Sequence, residues 1–147
     1  VPEATEETSG GVAANLVYLV TDSAELIEEA GRIGTESDAV GMFAGFSTAV
    51  EMIEALAHTT RSGDGPDAII IKGELADFPA QQLAFAIRSL ETGVEADKTP
   101  LLVVCDDEAA WADRGRGLGS IRAVSLPADL STEEVCARMI AQLQRLG

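Results

Sequence analysis

Residues 66–75, Pro-Asp-Ala-Ile-Ile-Ile-Lys-Gly-Glu-Leu, are the stretch that decides the fold. A turn dipeptide leads into four consecutive apolar residues, most of them β-branched, and Lys72 closes the run. Such a run predicts a strand that is buried on both faces, which is typical of the centre of a parallel sheet. Because ligands and chemistry in open α/β sheets gather at the carboxyl ends of the strands, we expect Lys72 to decide the function.

Length and composition predict one globular domain. The chain has 147 residues, and 46% of them are hydrophobic, which is enough for a sizeable core. Residues 1–14 are acidic and show no periodicity, so we interpret them as a flexible lead or linker and residues 15–147 as the domain. The sequence starts without a signal segment and its apolar runs are too short to cross a bilayer, which predicts a cytoplasmic protein.

Charge and cysteine content exclude several classes of function. The formal net charge is -15, which argues against direct binding to nucleic acid or to an anionic membrane. Cys105 and Cys136 lie in different predicted elements with apolar neighbours, which favours buried free thiols over a disulfide. The turn after the first strand has no glycine-rich phosphate loop, so no flavin or dinucleotide cofactor is expected.

The chain alternates five short apolar runs with five amphipathic helical patterns. Strands are predicted at residues 16–20, 39–43, 68–72, 101–105 and 121–126. This alternation predicts an α/β fold in which helices cover both faces of a parallel sheet. Right-handed crossovers leave few arrangements, and the doubly wound order 2-1-3-4-5 of flavodoxin-like domains is the predicted topology.

Apolar residues at helical spacing mark the inner faces of the predicted helices. These faces consist of Ile27, Ala30 and Ile33; Val50, Ile53, Leu56 and Ala57; Leu83, Ala86, Ile87 and Leu90; and Val135, Met139, Ile140 and Leu143. We expect Gly31 and Gly34 to weaken the end of the first helix and residues 61–66 to form a loop. Ser131 and Glu134 predict a capping box at the start of the last helix.

Four dipeptides resemble the receiver domain of two-component response regulators. Pro66-Asp67 precedes the central strand, Thr99-Pro100 the fourth strand and Gly119-Ser120 the fifth, and Leu126-Pro127 follows the fifth strand. The resemblance covers nearly the whole chain, from about Asn15 to Leu146. It implies the five-stranded, CheY-like (βα)5 fold and a role in signal transduction.

The same resemblance implies that the phosphorylation pocket is degenerate. Where the family has an acidic pair after the first strand, this chain has Thr21-Asp22, and Lys72 takes the place of the phosphorylated aspartate. Cys105 stands at the Thr or Ser position, and Leu126 at the lysine position. The expected consequences are no catalytic residue, no metal site and no cofactor.

Chemistry supports that expectation. Phosphoryl acceptance needs a carboxylate nucleophile and a divalent cation, whereas an ammonium cannot form an acyl phosphate and repels Mg²⁺. Two interpretations of Lys72 stay open. It forms an ion pair with Asp22 across neighbouring strand ends, or its amine extends to solvent.

The resemblance also implies a protein-interaction face made by the fourth predicted helix, the fifth strand and the last helix, which is the usual dimer and partner surface of receivers. Its candidate residues are Trp111, Arg114, Arg116, Arg122, Asp129, Glu133 and Glu134. Opposite charges on one such face can pair reciprocally across a two-fold axis. The alternative is an ordinary solvated surface, where each ion pair contributes ~0–1 kcal/mol.

The sequence therefore predicts a non-enzymatic pseudo-receiver that positions or regulates a protein partner or a fused output domain in bacterial signalling or protein localisation. It resembles the atypical receivers that precede ATPase domains in pilus-localisation proteins, and also the pseudo-receivers of clock and motility proteins. One alternative is a flavodoxin-like domain that binds a small molecule or acts on one at Asp22, Lys72 and Cys105. Another is a receiver phosphorylated at a non-standard acid, such as Asp22 or Glu74.

Overall fold

A computed structural model describes residues 14–37, 40–62, 65–72, 80–93, 99–105, 121–126 and 129–146. The strands are β1 (Ala14–Val20), β2 (Val40–Phe46), β3 (Ala68–Lys72), β4 (Leu101–Cys105) and β5 (Ile121–Ser125). The described helices are α1 (Ala24–Ser37), α2 (Ala49–Ser62), α3 (Ala80–Gly93) and α4 (Thr132–Leu146). All strand pairs are parallel and the order is β2-β1-β3-β4-β5, so the predicted fold class and the order 2-1-3-4-5 are confirmed.

The central strand β3 is buried as its sequence predicts. Ala68, Ile69, Ile70 and Ile71 are all buried, and the three isoleucines have no exposed surface. Their side chains alternate between two cores, one beneath α1 and α4 and the other beneath α2 and α3. A strand buried on both faces needs this continuous apolar run, because burying an unpaired polar side chain in either of the two cores would cost free energy.

Two of the dipeptides noted in the sequence tie the starts of neighbouring strands together. The Asp67 N–H donates to the Leu16 carbonyl at 2.8 Å, and the Leu16 N–H donates to the Asp67 carboxylate at 3.2 Å. The Pro100 carbonyl accepts the N–H of Ile69 at 3.0 Å. These bonds set the register in which β3 enters between β1 and β4.

The predicted end of β2 and the predicted start of the loop after α2 are wrong. Strand β2 continues to Phe46 instead of ending at residue 43, because it pairs with β1 along its whole length. Helix α1 runs through Gly31 and Gly34 to Ser37, since it packs against both β2 and α4. Helix α2 extends to Ser62, so residues 61 and 62 are helical and not part of a loop.

Some inner faces also differ from the prediction. Val50 is 47% exposed and not on the inner face of α2, whereas Met52 is fully buried. The core of α4 includes Cys136 in addition to the predicted Met139, Ile140 and Leu143. Ala14, predicted as the last residue of the lead, is the first residue of β1, and it pairs with Val40. Residues 1–13 of the predicted lead and residues 106–118, predicted as a helix, lie outside the described part of the chain.

Candidate functional site

Parallel register brings the carboxyl ends of the strands to one edge of the sheet. Val20 pairs with Ile71, so the next residues, Thr21 and Lys72, lie at the same level. Lys72 pairs with Val104 on the other side of β3. Cys105 pairs with Ser125, which precedes Leu126. The sheet therefore brings the five predicted pocket positions, including Asp22, to one edge, although the side chain of Cys105 lies outside the described residues.

Thr21 has a structural role at this edge. It is 1% exposed, and its N–H donates to the Phe46 carbonyl at 3.0 Å. Its hydroxyl accepts the Ser23 N–H at 3.3 Å, and the Ser23 hydroxyl accepts the Leu26 N–H at 3.2 Å. The Ser23 side chain thus caps the first turn of α1, and the N–H groups of Ser23 and Leu26 already have side-chain partners.

Asp22 and Lys72 differ in their surroundings. Asp22 is exposed and Lys72, the last residue of β3, is half-buried. The ion pairs between residues that the structure describes are those of Arg32 and Arg88, and none joins Lys72 to Asp22. Of the two interpretations of Lys72, the geometry therefore agrees with an amine that extends to solvent.

Leu126 belongs to the core. Its half-buried side chain packs against the cluster beneath α1 and α4, where the receiver pattern has a lysine. An apolar residue there cannot offset the charge of a phosphoryl group.

Among the residues that the structure describes at this edge, the donor set does not fit a divalent cation. Mg²⁺ and Ca²⁺ take several oxygen ligands, with carboxylates foremost. Asp22 supplies a carboxylate, Thr21 a hydroxyl that is already hydrogen-bonded, and Lys72 a positive charge. Across the residues described, no three His, Cys, Asp or Glu side chains gather in a way that could hold a metal ion.

The predicted interaction face is described in part. Arg122 is exposed on β5 and its Nε donates to the Gln142 side-chain oxygen on α4 at 2.6 Å. Arg122, Leu126, Arg138 and Gln142 are among the residues that line an open groove of about 430 Å³ between β5 and α4. Asp129 is exposed, and Trp111, Arg114 and Arg116 lie outside the described residues.

The two glutamates of that face already have partners within the chain. Glu133 accepts from Arg32 of α1 at 3.3 Å. The Glu134 carboxylate accepts the Ser131 N–H at 3.2 Å, and the Ser131 hydroxyl accepts the Glu134 N–H at 3.2 Å, so the predicted capping box is present. These bonds to Ser131 lower the pKa of Glu134.

The sequence analysis missed two buried charges. Arg88 and Glu91 on α3 are 6% and 2% exposed and form an ion pair of 2.7 Å. The other carboxylate oxygen of Glu91 accepts the Thr99 N–H at 2.8 Å, just before β4. The burial of Arg88 and Glu91 could have been predicted from the sequence, because positions 84, 88 and 91 continue the apolar stripe of α3 at helical spacing.

Cys136 is a free, buried thiol, as the sequence predicted. Its sulfur lies 3.8 Å from the Leu26 carbonyl, and burial, followed by the nearby Glu29 carboxylate, raises the pKa of Cys136 to about 11. The thiol therefore stays protonated near neutral pH and is a poor nucleophile. None of the helices that the structure describes is long and apolar enough to cross a membrane.

Comparison with solved structures identifies the class of fold. The chain superposes on the response regulator domain of Thermotoga maritima CheB with a TM-score of 0.67 and 16% identity, over 90% of this chain and 95% of that one. The response regulatory domain of mrkE from Klebsiella pneumoniae gives 0.63 and 17%, over 89% and 93%. The chain thus has the CheY-like, doubly wound fold of receiver domains.

A third similar structure limits what that likeness says about function. A de novo designed Rossmann 2x3 fold protein matches with a TM-score of 0.57 and 20% identity, over 89% of this chain and 90% of that one. No family model and no curated protein matches the sequence. Because unrelated functions share such folds, the function has to be argued from the residues of the site.

Proposed function

We propose that this chain is a receiver-like signalling module that acts without aspartyl phosphorylation, as a docking element for a protein partner or a fused output domain. The observation that carries the proposal is Lys72 at the end of the central strand β3. An amine at this position provides neither the nucleophile nor the cation ligand that phosphoryl acceptance needs. The receiver fold of the similar structures supports a role in signalling.

Two neighbouring features support the same proposal. Thr21 is buried and its hydroxyl accepts the Ser23 N–H, so it is a poor substitute for the exposed carboxylate that a cation needs. Leu126 packs into the core where the receiver pattern has a cation. Changing Lys72 alone would therefore leave the pocket without the rest of a phosphorylation site. We propose that the state of the protein does not depend on Mg²⁺. We also propose that the protein is cytoplasmic.

The partner surface that we propose includes β5 and α4. Arg122 and Arg138 are exposed at one groove in a chain whose net charge is -15. A negatively charged partner would be attracted to these arginines and repelled by most other surfaces of this acidic chain. Asp129 is exposed, and Trp111, Arg114 and Arg116 stay predicted members of this surface on the strength of the sequence alone.

A titration followed by NMR tests the absence of phosphorylation. Beryllofluoride with Mg²⁺ should leave the amide signals of Thr21, Asp22 and Lys72 unchanged. In the matched variant Lys72→Asp, a second carboxylate stands beside Asp22, and Mg²⁺ alone should shift the same signals. A saturable response of the unmodified chain, or a phosphate mass gained from acetyl phosphate at the exposed Asp22, would overturn the proposal.

Charge reversal tests the partner surface. Arg122→Glu combined with Arg138→Glu should abolish binding to the native partner, identified by crosslinking and mass spectrometry. Glu36→Lys, on the exposed side of α1, is the control that changes charge elsewhere and should leave that complex intact. Loss of binding in the control alone would place the partner on a different surface.

A further inference from the structure

Strand β2 is the outermost of the five described strands, and no other described element pairs with its outer side. Its register is with β1. Its seven residues, Val-Gly-Met-Phe-Ala-Gly-Phe, include no charge and no proline, although the chain carries a net charge of -15. Natural proteins usually protect edge strands with charges, prolines or bulges, because open main-chain groups pair with other strands.

The main-chain groups of β2 that point away from the sheet belong to alternate residues. The Phe46 carbonyl accepts the Thr21 N–H, so Phe46 directs its main chain toward β1. Because this direction alternates along a strand, Gly41, Phe43 and Gly45 direct theirs outward. In the part of the chain that the structure describes, no hydrogen bond reaches these outward groups.

The side chains along this edge leave it accessible. Gly41 and Gly45 are exposed and have no side chain to cover the main chain. Met42 is 58% exposed, more than Val50 or Phe85, which are the other large apolar side chains exposed among the described residues. An exposed methionine beside an open edge is the kind of surface that another chain covers.

We propose that two copies of this chain pair through β2, antiparallel, about a two-fold axis at Phe43. The pattern of outward residues is self-complementary in this arrangement: Phe43 faces Phe43 of the second copy, and Gly41 faces Gly45. Each outward residue then donates its N–H and accepts at its carbonyl across the axis. Met42 lies opposite Ala44 of the second copy on the α2 face, so the exposed thioether is covered.

Charge favours this edge over the helical surfaces as a contact between identical chains. Glu25, Glu28 and Glu36 are exposed on α1, and Glu51 and Glu54 on α2, so two copies that meet through helices place carboxylates opposite each other. The β2 edge brings uncharged residues together. One strand of seven residues is a short contact compared with the ~1,200–2,000 Å² of stable interfaces, so the dimer is weak and depends on concentration.

Amide hydrogen exchange measured at several protein concentrations tests the register. The amides of Gly41, Phe43 and Gly45 should become more protected as the concentration rises. Those of Met42 and Ala44, which face β1, should be protected at every concentration. A dimer without added protection at Phe43 and Gly45 would overturn the proposal.

Sedimentation velocity on variants tests the contact itself. Gly41→Pro removes an outward N–H without removing a bond to β1, and Met42→Lys buries an ammonium against Ala44 of the second copy. Each should raise the dimer dissociation constant at least ~tenfold. Phe85→Lys makes the same apolar-to-charged change at a 49% exposed site on α3 and should leave it unchanged.

Two outcomes of the sedimentation experiment would overturn the proposal. One is an unmodified chain that stays monomeric over the whole concentration range. The other is a dimer that Met42→Lys leaves intact while circular dichroism shows a folded chain. Because neither outcome involves Mg²⁺, phosphate or the groove at β5, each is independent of the proposed function.

Discussion

Gly45 sets the distance between β2 and α1. A Cβ atom at this position would lie 2.2 Å from Cγ2 of Ile27 and 3.2 Å from its Cβ, so the helix or the side chain would have to move. We expect Gly45→Ala to lower the free energy of unfolding by about 1–3 kcal/mol, as overpacking of a core does. Urea denaturation followed by circular dichroism measures the change.

Two controls separate crowding from a general effect of glycine. Gly31 lies inside α1, and a Cβ added there would have no neighbouring atom within 4 Å, so Gly31→Ala should stabilise the fold by about 0.5–1 kcal/mol. In an Ile27→Ala background, Gly45→Ala should cost much less than in the unmodified chain. If Gly45→Ala proves neutral in the unmodified chain, the close approach of β2 and α1 is not a constraint.

Glu91 is the second residue with a large expected effect. It pairs with buried Arg88 and accepts the Thr99 N–H, so Glu91→Ala leaves a guanidinium without its carboxylate and an amide without its acceptor. Breaking a buried pair on one side costs about 3–5 kcal/mol. Thermal and urea unfolding of Glu91→Ala should show a loss of that order.

The matched control for Glu91 is an exposed pair on α1. Glu29 also contacts an arginine three residues away, Arg32, at the same distance of 2.7 Å. Water screens that pair, so Glu29→Ala should have only a small effect. Equal losses in the two variants would mean that burial does not decide the contribution of these pairs.

At the scale of elements, the sequence predicted which segments form strands and helices but not where they end. Runs such as residues 68–72 and 101–105 were placed correctly. A strand that is buried on both faces is almost entirely apolar, so its sequence forms a continuous apolar run that is easily recognised. The end of β2 was not placed correctly, because Gly45 weakens a local preference for a strand that pairing with β1 then overrides. The capping box of α4 was predicted, since its bonds join residues three apart.

The cap of α4 should make stability depend on pH. Hydrogen bonds from Ser131 lower the pKa of Glu134 below 4.5 in the folded chain. A depressed pKa stabilises the fold above the unfolded value, and this stabilisation is lost as pH falls through the folded pKa. Glu134→Gln should therefore be less stable than the unmodified chain at pH 7 and equal to it once Glu134 is protonated, as urea unfolding at both pH values would show. If the two chains still differ in stability at low pH, the effect of Glu134→Gln comes from changed hydrogen-bond geometry and not from the lost charge.

At the scale of the whole molecule, topology explains which parts of the site were predictable. Once the strand order was known, Thr21, Lys72, Cys105 and Leu126 had to meet at one edge, because parallel strands end together. The partner of Glu133, Arg32, depends on how α1 packs against α4, a contact between residues about 100 positions apart. Such contacts leave no periodic signal in the sequence. The absence of phosphorylation at Lys72 stays a prediction that the titration addresses, and docking at β5 and α4 stays one that the charge reversals address.

The net charge of -15 leads to a prediction about salt that concerns the molecule as a whole. Repulsion among many carboxylates opposes the compact state, and salt shortens its range from ~30 Å at 0.01 M to ~3 Å at 1 M. Raising sodium chloride should therefore increase the free energy of unfolding in urea, even though it weakens the exposed Arg32 pairs. The same screening should strengthen association through β2, because two like-charged copies approach each other. Stability that falls with salt would mean that the ion pairs outweigh the net repulsion, and association that weakens with salt would mean that charged and not uncharged surfaces meet.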